Sequence, residues 1–193
     1  MQISSFNSLN AIFFLQCEKY QKEDHLFFNN LNLKKFQTYT WSDTTNNVLK
    51  LAKFLNEKNI SKGDRVLLVS ENRPEWLIAD LAILLNSAIT VPNYTTYTVN
   101  DFAFTINDCK PSGLIVSTPQ LLKNILLAAK KINYNFNFII LLNQTNESVA
   151  GNVVNFSTVL EKKIDIEETK IFFRESCFEN KVSDLWKSDI FVH

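Results

Sequence analysis

The chain of 193 residues is 46% hydrophobic, which is enough apolar content for one folded domain with a buried core and excludes a disordered protein. Its 20 basic and 20 acidic residues cancel, so the sequence provides no strong field to attract nucleic acid or an anionic membrane surface. No apolar run approaches the ~20 residues needed to span a bilayer.

Three widely separated cysteines, Cys17, Cys109 and Cys177, fit neither a paired disulfide framework nor a zinc site. The apolar stretch 11–15 has no basic segment before it and no small-residue cleavage site after it, unlike a secretory signal. We therefore expect a cytoplasmic protein, and leave open whether it attaches peripherally to a membrane.

The spacing of apolar residues predicts three elements near the start of the chain: a helix over 9–20 and extended segments over 26–28 and 35–39. Asn29 and Asn30 suit a turn between the two extended segments. Ser42 is expected to cap a helix that runs toward Lys58.

Four short apolar runs predict strands: 65–70, 88–91, 114–116 and 138–142. Helices are predicted between them: Pro74 to Asn86, Thr98 to Asn107, and Ser117 to Lys131. Pro92 is expected to end the second strand, and Thr98 with Asp101 has the spacing of a capping box. This alternation predicts an α/β fold with a doubly wound, mostly parallel sheet, helices on both faces and right-handed crossovers.

The pattern weakens from residue 143 onward. We predict a polar loop to Gly151 and a short helix over 157–163, and the apolar residues 186–193 could begin a strand. The chain is therefore divided into an α/β subdomain over 1–142 and an irregular segment over 143–193.

Residues for catalysis are scarce. Phosphate loops need closely spaced glycines, but Gly63, Gly113 and Gly151 are isolated, so neither a Walker loop nor a dinucleotide fingerprint can be built. His25 and His193 are the two histidines, and we interpret both as solvent-exposed residues. No pair of histidines or cysteines has ligand spacing, so no metal site is predicted.

Three motifs follow one another in a characteristic order: Lys62-Gly63-Asp64-Arg65-Val66, Asn72-Arg73-Pro74-Glu75-Trp76 and Val91-Pro92-Asn93-Tyr94-Thr95-Thr96. Together they resemble the amino-terminal domain of AMP-forming acyl-CoA synthetases, in particular long-chain fatty acid–CoA ligases. The resemblance covers about 38–117 well and reaches 142 more loosely.

The resemblance implies the incomplete N-terminal domain of the adenylate-forming ligase fold. Such ligases use ATP and magnesium to convert a fatty acid to an acyl-adenylate, and then transfer the acyl group to coenzyme A. Their phosphate loop, adenine-contacting motifs and catalytic lysine match no part of this sequence. Asp184-Leu185 is weakly similar to the lead-in to the phosphate loop, and 186–193 departs from the family pattern. We therefore assign no catalytic, ATP-binding or metal-binding residue, and expect no cofactor to be bound by this chain.

Most motif residues have a structural interpretation. Gly63 and Asp64 form a turn before a strand, residues 72–75 open a helix, and Trp76 belongs to the core. Arg73 and the segment Tyr94–Thr96 are the expected exceptions, because they follow strands at the sheet edge where ligands gather in open α/β folds.

Three functions remain open. The chain is an inactive N-terminal fragment of a ligase, one half of a split ligase that pairs with its remainder as a separate chain, or a non-catalytic binding module of the same fold. The first is favoured. A generic Rossmann domain is disfavoured by the isolated glycines.

Overall fold

The computed structural model describes residues 8–30, 35–143 and 152–179. In chain order the elements are α1 (Leu9–Tyr20), β1 (Asp24–Asn30), β2 (Lys35–Thr40), α2 (Trp41–Glu57), β3 (Arg65–Val69), α3 (Pro74–Leu85), β4 (Ile89–Asn93), α4 (Val99–Cys109), β5 (Gly113–Val116), α5 (Pro119–Lys131), β6 (Phe138–Leu141), β7 (Val153–Asn155), α6 (Phe156–Glu161) and α7 (Ile166–Glu179).

Five strands form one parallel sheet in the order β4-β3-β5-β6-β7. Successive side chains of a strand point to opposite faces, so each buried strand contributes to two cores. In β3, Val66 and Leu68 enter the first core, whereas Leu67 and Val69 enter the second. The predicted α/β sheet with helices on both faces is therefore confirmed.

The first face of the sheet is covered by α2 and α3, with α1, α6 and α7 packed around them. The side chain of Asn86, at the end of α3, joins two of these helices by donating to the carbonyl oxygens of Ala52 at 3.1 Å and Ala82 at 3.0 Å. The second face is covered by α4 and α5, which pack against each other.

The amino-terminal hairpin differs from its prediction. Asn29 and Asn30 do not form a turn; their backbone continues β1 and pairs with Phe36 and Lys35 of β2. Antiparallel pairing with β2 decides the backbone here, because the local turn preference of asparagine is weak compared with a complete ladder.

Helix α2 begins two residues earlier than predicted. Its N-cap is Thr40 and not Ser42. The Thr40 hydroxyl accepts from the Asp43 backbone N–H at 3.1 Å, while the Asp43 carboxylate accepts from the Thr40 backbone N–H at 3.0 Å. This reciprocal capping box satisfies two backbone donors and thereby selects Thr40.

Pro92 does not end its strand, since β4 continues to Asn93. Among the described strands β4 lies at the edge of the sheet, where proline is tolerated. The Ile89 N–H donates to the backbone carbonyl oxygen of Asp64, which lies on the β3 side. Because the backbone N–H groups of successive residues in a strand point to alternate sides, the backbone nitrogen at position 92 points away from β3. The missing N–H of proline therefore breaks no ladder hydrogen bond.

Residues 152–179 form more regular structure than was predicted for the segment over 143–193, and α6 corresponds to the short helix predicted over 157–163. Strand β7 pairs in parallel with β6, and α6 and α7 follow it. Phe173 of α7 is buried in the first core, which stabilises a helix of mixed sequence through tertiary packing. Gly151, Asp184, Leu185 and 186–193 lie outside the described residues.

The described helices include none that combines the length and the apolar character needed to cross a bilayer.

Candidate functional site

The loops that follow the parallel strands meet along one edge of the sheet, which we call the carboxyl edge. Four polar residues mark the ends of four neighbouring strands there: Arg73 after β3, Asn93 at the end of β4, Ser117 after β5 and Asn143 after β6. The fold therefore gathers side chains that are far apart in the sequence.

Arg73 is held firmly at this edge. Its backbone is extended and precedes Pro74, the first residue of α3. Its Nε donates to the Glu75 carboxylate at 2.8 Å, and its Nη1 donates to the Asn143 side-chain oxygen at 2.6 Å. A guanidinium has five N–H groups, so a fixed Arg73 keeps further donors that an anion could accept from.

Tyr39 of β2 lies close to this pair of charges. Burial of the phenol raises its pKa, the Glu75 carboxylate raises the pKa further, and the Arg73 guanidinium partly opposes both effects. The phenol is therefore kept in its neutral form, in which it both donates and accepts hydrogen bonds.

Two buried polar atoms of the carboxyl edge have unused hydrogen-bonding capacity. Ser117 is fully buried, and its hydroxyl has no partner within the described ranges. The same holds for the side-chain N–H₂ group of Asn93. Ser117 is fixed through its backbone, which donates to Val69 at 3.0 Å and accepts from Asn143 at 3.0 Å. Such groups are rare in folded proteins, and here both atoms are covered by the surrounding protein, so neither faces the open edge of the sheet.

The loop Tyr94–Thr96 follows β4 at the same edge. Tyr94 is 73% exposed, and its ring meets that of Tyr97 edge-on at 5.6 Å. Tyr97 in turn packs on the buried ring of Phe102 at 5.9 Å. The loop is thus anchored by Tyr97, while Tyr94 and Thr96 are exposed to solvent and Thr95 is half-buried.

The other motif residues are placed differently. Gly63 adopts a positive φ of 85° that favours glycine, and Asp64 accepts from the Ser61 backbone N–H at 2.8 Å. Both precede β3, so they lie at the amino edge of the sheet, opposite Arg73. Asn72 is exposed, and Trp76 packs against the first core.

No group of three histidine, cysteine, aspartate or glutamate residues that could hold a metal ion occurs in the part of the chain that the structure describes. His25 is half-buried and not solvent-exposed as predicted: it stacks on Trp41 with 3.6 Å between ring centroids, and partial burial lowers its pKa. Burial raises the pKa of the Cys17 thiol to about 11, which keeps it protonated and unreactive.

Sequence reasoning identified Arg73 and Tyr94–Thr96 at the carboxyl edge but missed Ser117, Asn93 and Asn143 as members of it. The available signal was position, because each of the three stands at or directly after the end of a strand. Their burial and hydrogen bonding depend on neighbouring strands and could not be predicted locally.

Comparison with known proteins shows a family relationship along most of the chain. Residues 13–169 match the family described as AMP-binding enzyme. The long-chain-fatty-acid–CoA ligase FadD15 of Mycobacterium tuberculosis is 30% identical over 95 residues, which cover 49% of this chain and 16% of that protein. The long-chain-fatty-acid–CoA ligase of Bacillus subtilis is 32% identical over 76 residues, 39% of this chain and 14% of that protein. The matched segment thus spans less than a fifth of these relatives' length.

Solved structures share the fold. The luciferase-like enzyme of Zophobas morio superposes with a TM-score of 0.72 at 21% identity, covering 84% of this chain and 37% of that one. The acetoacetyl-CoA synthetase of Streptomyces lividans superposes with a TM-score of 0.70 at 12% identity, covering 81% of this chain and 25% of that one. The sheet and its helices are therefore those of adenylate-forming ligases, and the chain belongs to the AMP-binding enzyme family.

Proposed function

We propose that this chain is the N-terminal part of a ligase that activates long-chain fatty acids with ATP and magnesium and transfers them to coenzyme A. The observation that carries the proposal is the family match over residues 13–169, supported by relatives named as long-chain fatty acid ligases. The separated cysteines favour a reducing, cytoplasmic setting for the reaction.

The described residues do not by themselves fit a nucleoside triphosphate. A phosphate cradle needs several backbone N–H groups aimed at one point, yet Gly63 and Gly113 lie in separate elements. No described acidic cluster could hold magnesium. We therefore infer that the chain supplies one wall of the ligase, its carboxyl edge, and does not catalyse either step alone.

Arg73 would then act by binding, because its remaining guanidinium donors can contact an anionic group of substrate. Ser117 and Asn93 would act by shaping the edge, since the Ser117 hydroxyl and the Asn93 side-chain nitrogen are covered by protein and do not face solvent. No proton transfer is assigned to them, because neither a guanidinium nor an amide titrates near neutral pH.

The test begins with the DNA downstream of this segment, translated in all reading frames. The polypeptide that carries the phosphate loop is joined to this chain, and pyrophosphate release is measured with palmitate, octanoate and acetate. Palmitate-dependent release by the joined protein, and none by this chain alone, is the expected result. A folded joined protein that releases no pyrophosphate with any of these acids contradicts the proposal.

Two other functions lead to different outcomes. A split ligase would show the same activity when the two polypeptides are purified separately and mixed. A binding module would bind palmitate, ATP or coenzyme A as this chain alone in a calorimetric titration. The two buried cores of the described residues support the second alternative, because a chain with its own cores can fold without a partner.

A further inference from the structure

The outer surface of α4 and α5 combines exposed apolar side chains with opposite charges. Phe104 of α4 is 74% exposed and Leu127 of α5 is 49% exposed. The two helices pack against each other over the second core, so both side chains lie on the same side of the molecule. Single exposed apolar residues are common at protein surfaces, so the charges around these two decide what the surface can bind.

The charged residues of α4 are both acidic. Asp101 lies three positions before Phe104 and Asp108 four positions after it, which puts the three side chains on one face of the helix. The Asp101 carboxylate accepts from the Thr98 backbone N–H at 2.9 Å and is still exposed. Asp108 is exposed and forms no ion pair with a described residue. Helix α4 thus presents an aromatic ring between two carboxylates.

The charged residues of α5 are all basic. Lys123 lies four positions before Leu127 and Lys130 three positions after it, again on one face of the helix. Both lysines are exposed, and neither forms an ion pair within the described part of the chain. Lys131 is directed toward α4, where its Nζ donates to the Asn100 side-chain oxygen at 2.8 Å. Helix α5 thus presents a leucine between two ammonium groups.

The two helices are complementary in charge and in spacing. On each helix the flanking charges are seven positions apart, roughly 10 Å along the axis, with one apolar side chain between them. Either helix would meet like charges on a copy of itself, but α4 of one molecule matches α5 of another. Because every copy carries both helices, a two-fold axis would form this contact twice.

We propose that this surface, which we call the α4–α5 surface, is an interface between two copies of the chain. Phe104 packs against the partner's Leu127, and the carboxylates of α4 pair with the lysines of α5 in the partner. The contact lies on a face of the sheet and not at its carboxyl edge, so it does not depend on the proposed ligase activity.

The size of the surface sets the expected affinity. Helices of 11 and 13 residues that lie side by side offer roughly 400 Å² per copy, about half of the ~800 Å² that is usual in a stable complex. The dimer should therefore be weak, with a dissociation constant on the order of 100 μM.

Sedimentation equilibrium of the complete 193-residue chain measures this constant when the protein concentration is varied from ~10 to ~500 μM. Phe104→Ala should weaken the dimer about 10-fold or more, because buried aromatic anchors dominate small interfaces. Phe36→Ala is the matched control: Phe36 is 75% exposed on β2, so its removal should leave the dissociation constant unchanged. Far-UV circular dichroism checks that each variant is folded.

Charge reversal separates this interface from non-specific association. The double variant Lys123→Glu, Lys130→Glu places carboxylates on both helices and should abolish the dimer. Asp108→Lys should weaken it several-fold. When the two variants are mixed, the reversed charge on α4 of one meets the reversed charges on α5 of the other. The mixture should therefore dimerise more tightly than either variant alone.

Three results would each overturn the proposal. The first is a wild-type chain that stays monomeric at ~500 μM. The second is a loss of affinity in Phe36→Ala as large as that in Phe104→Ala. The third is a mixture of the two charge-reversal variants that associates no more tightly than the separate variants.

Discussion

The two faces of the sheet are unequal, although the same strands supply both. On the first face α1 and α7 pack against each other and against α2, so the helices form more than one layer. On the second face α4 and α5 are the two described helices that cover the strands, and Phe104 is 74% exposed and Leu127 49% exposed. Alternating strand residues therefore determine where cores form, whereas the thickness of each core depends on helices from distant parts of the chain.

Removing one buried ring from each face tests whether the outer helices belong to the core. Phe14 of α1 is 1% exposed and Phe102 of α4 is fully buried. We expect Phe14→Ala and Phe102→Ala each to lower the free energy of unfolding by about 3–5 kcal/mol, measured by urea denaturation. The exposed Phe104→Ala serves as a control, with a change within about 0.5 kcal/mol. A near-neutral Phe14→Ala would show that α1 is only loosely attached.

A smaller loss of stability is expected from crowding within the sheet, between the neighbouring strands β5 and β6. A Cβ atom on Gly113 would lie 2.1 Å from the ring of Phe138, its partner on β6. Gly113→Ala should therefore cost about 1–3 kcal/mol through overpacking. In a Phe138→Ala background the same change should be nearly neutral, and a double-mutant cycle measures the difference. Equal costs in both backgrounds would assign the loss to the backbone instead.

The smallest effects are expected at the helix caps, one on each face. Thr40→Ala should lower the free energy of unfolding by about 1 kcal/mol because the capping box with Asp43 is lost.

On the second face the Thr98 hydroxyl and backbone N–H lower the pKa of Asp101. A lowered folded-state pKa stabilises the protein above the unfolded-state pKa, and this contribution disappears as the pH falls through the folded-state value.

The destabilisation by Thr98→Ala should therefore be larger at neutral pH than in acid. Denaturation curves of the wild type and the variant between neutral pH and about pH 2 give the comparison. Asp101→Asn provides the control, because it should remove most of the pH dependence of the difference. A difference that stays constant with pH would contradict the assigned role of the carboxylate.

The parts of the fold that could be predicted are those with a local cause. Strands β3, β5 and β6 are continuous apolar runs, and Thr98 with Asp101 forms the predicted capping box. Strand β7 is three residues long and depends on pairing with β6, so its sequence alone carried no signal. Helix α7 is stabilised by burial of Phe173, a tertiary contact that its mixed composition does not reveal.

In the candidate site too, features with a local cause could be predicted from the sequence, whereas contacts between distant residues could not. Arg73 was predicted from its place after a strand, but its hydrogen bond to Asn143 joins residues 70 positions apart. The prediction of Ser42 as a cap failed although Asp43 offered a local signal, since a capping box needs its acidic residue three positions after the cap. Contacts between strand ends require knowledge of the strand order, which no single segment contains.

Pro92 has a consequence for the behaviour of the protein in concentrated solution. Along the outward side of β4, Thr90 has a backbone N–H and Pro92 has none, so an incoming strand would find few donors. Edge strands with regular rows of donors are templates for association between copies. A proline at this position makes the β4 edge a poor template, and growth of intermolecular sheets from this side of the molecule is disfavoured.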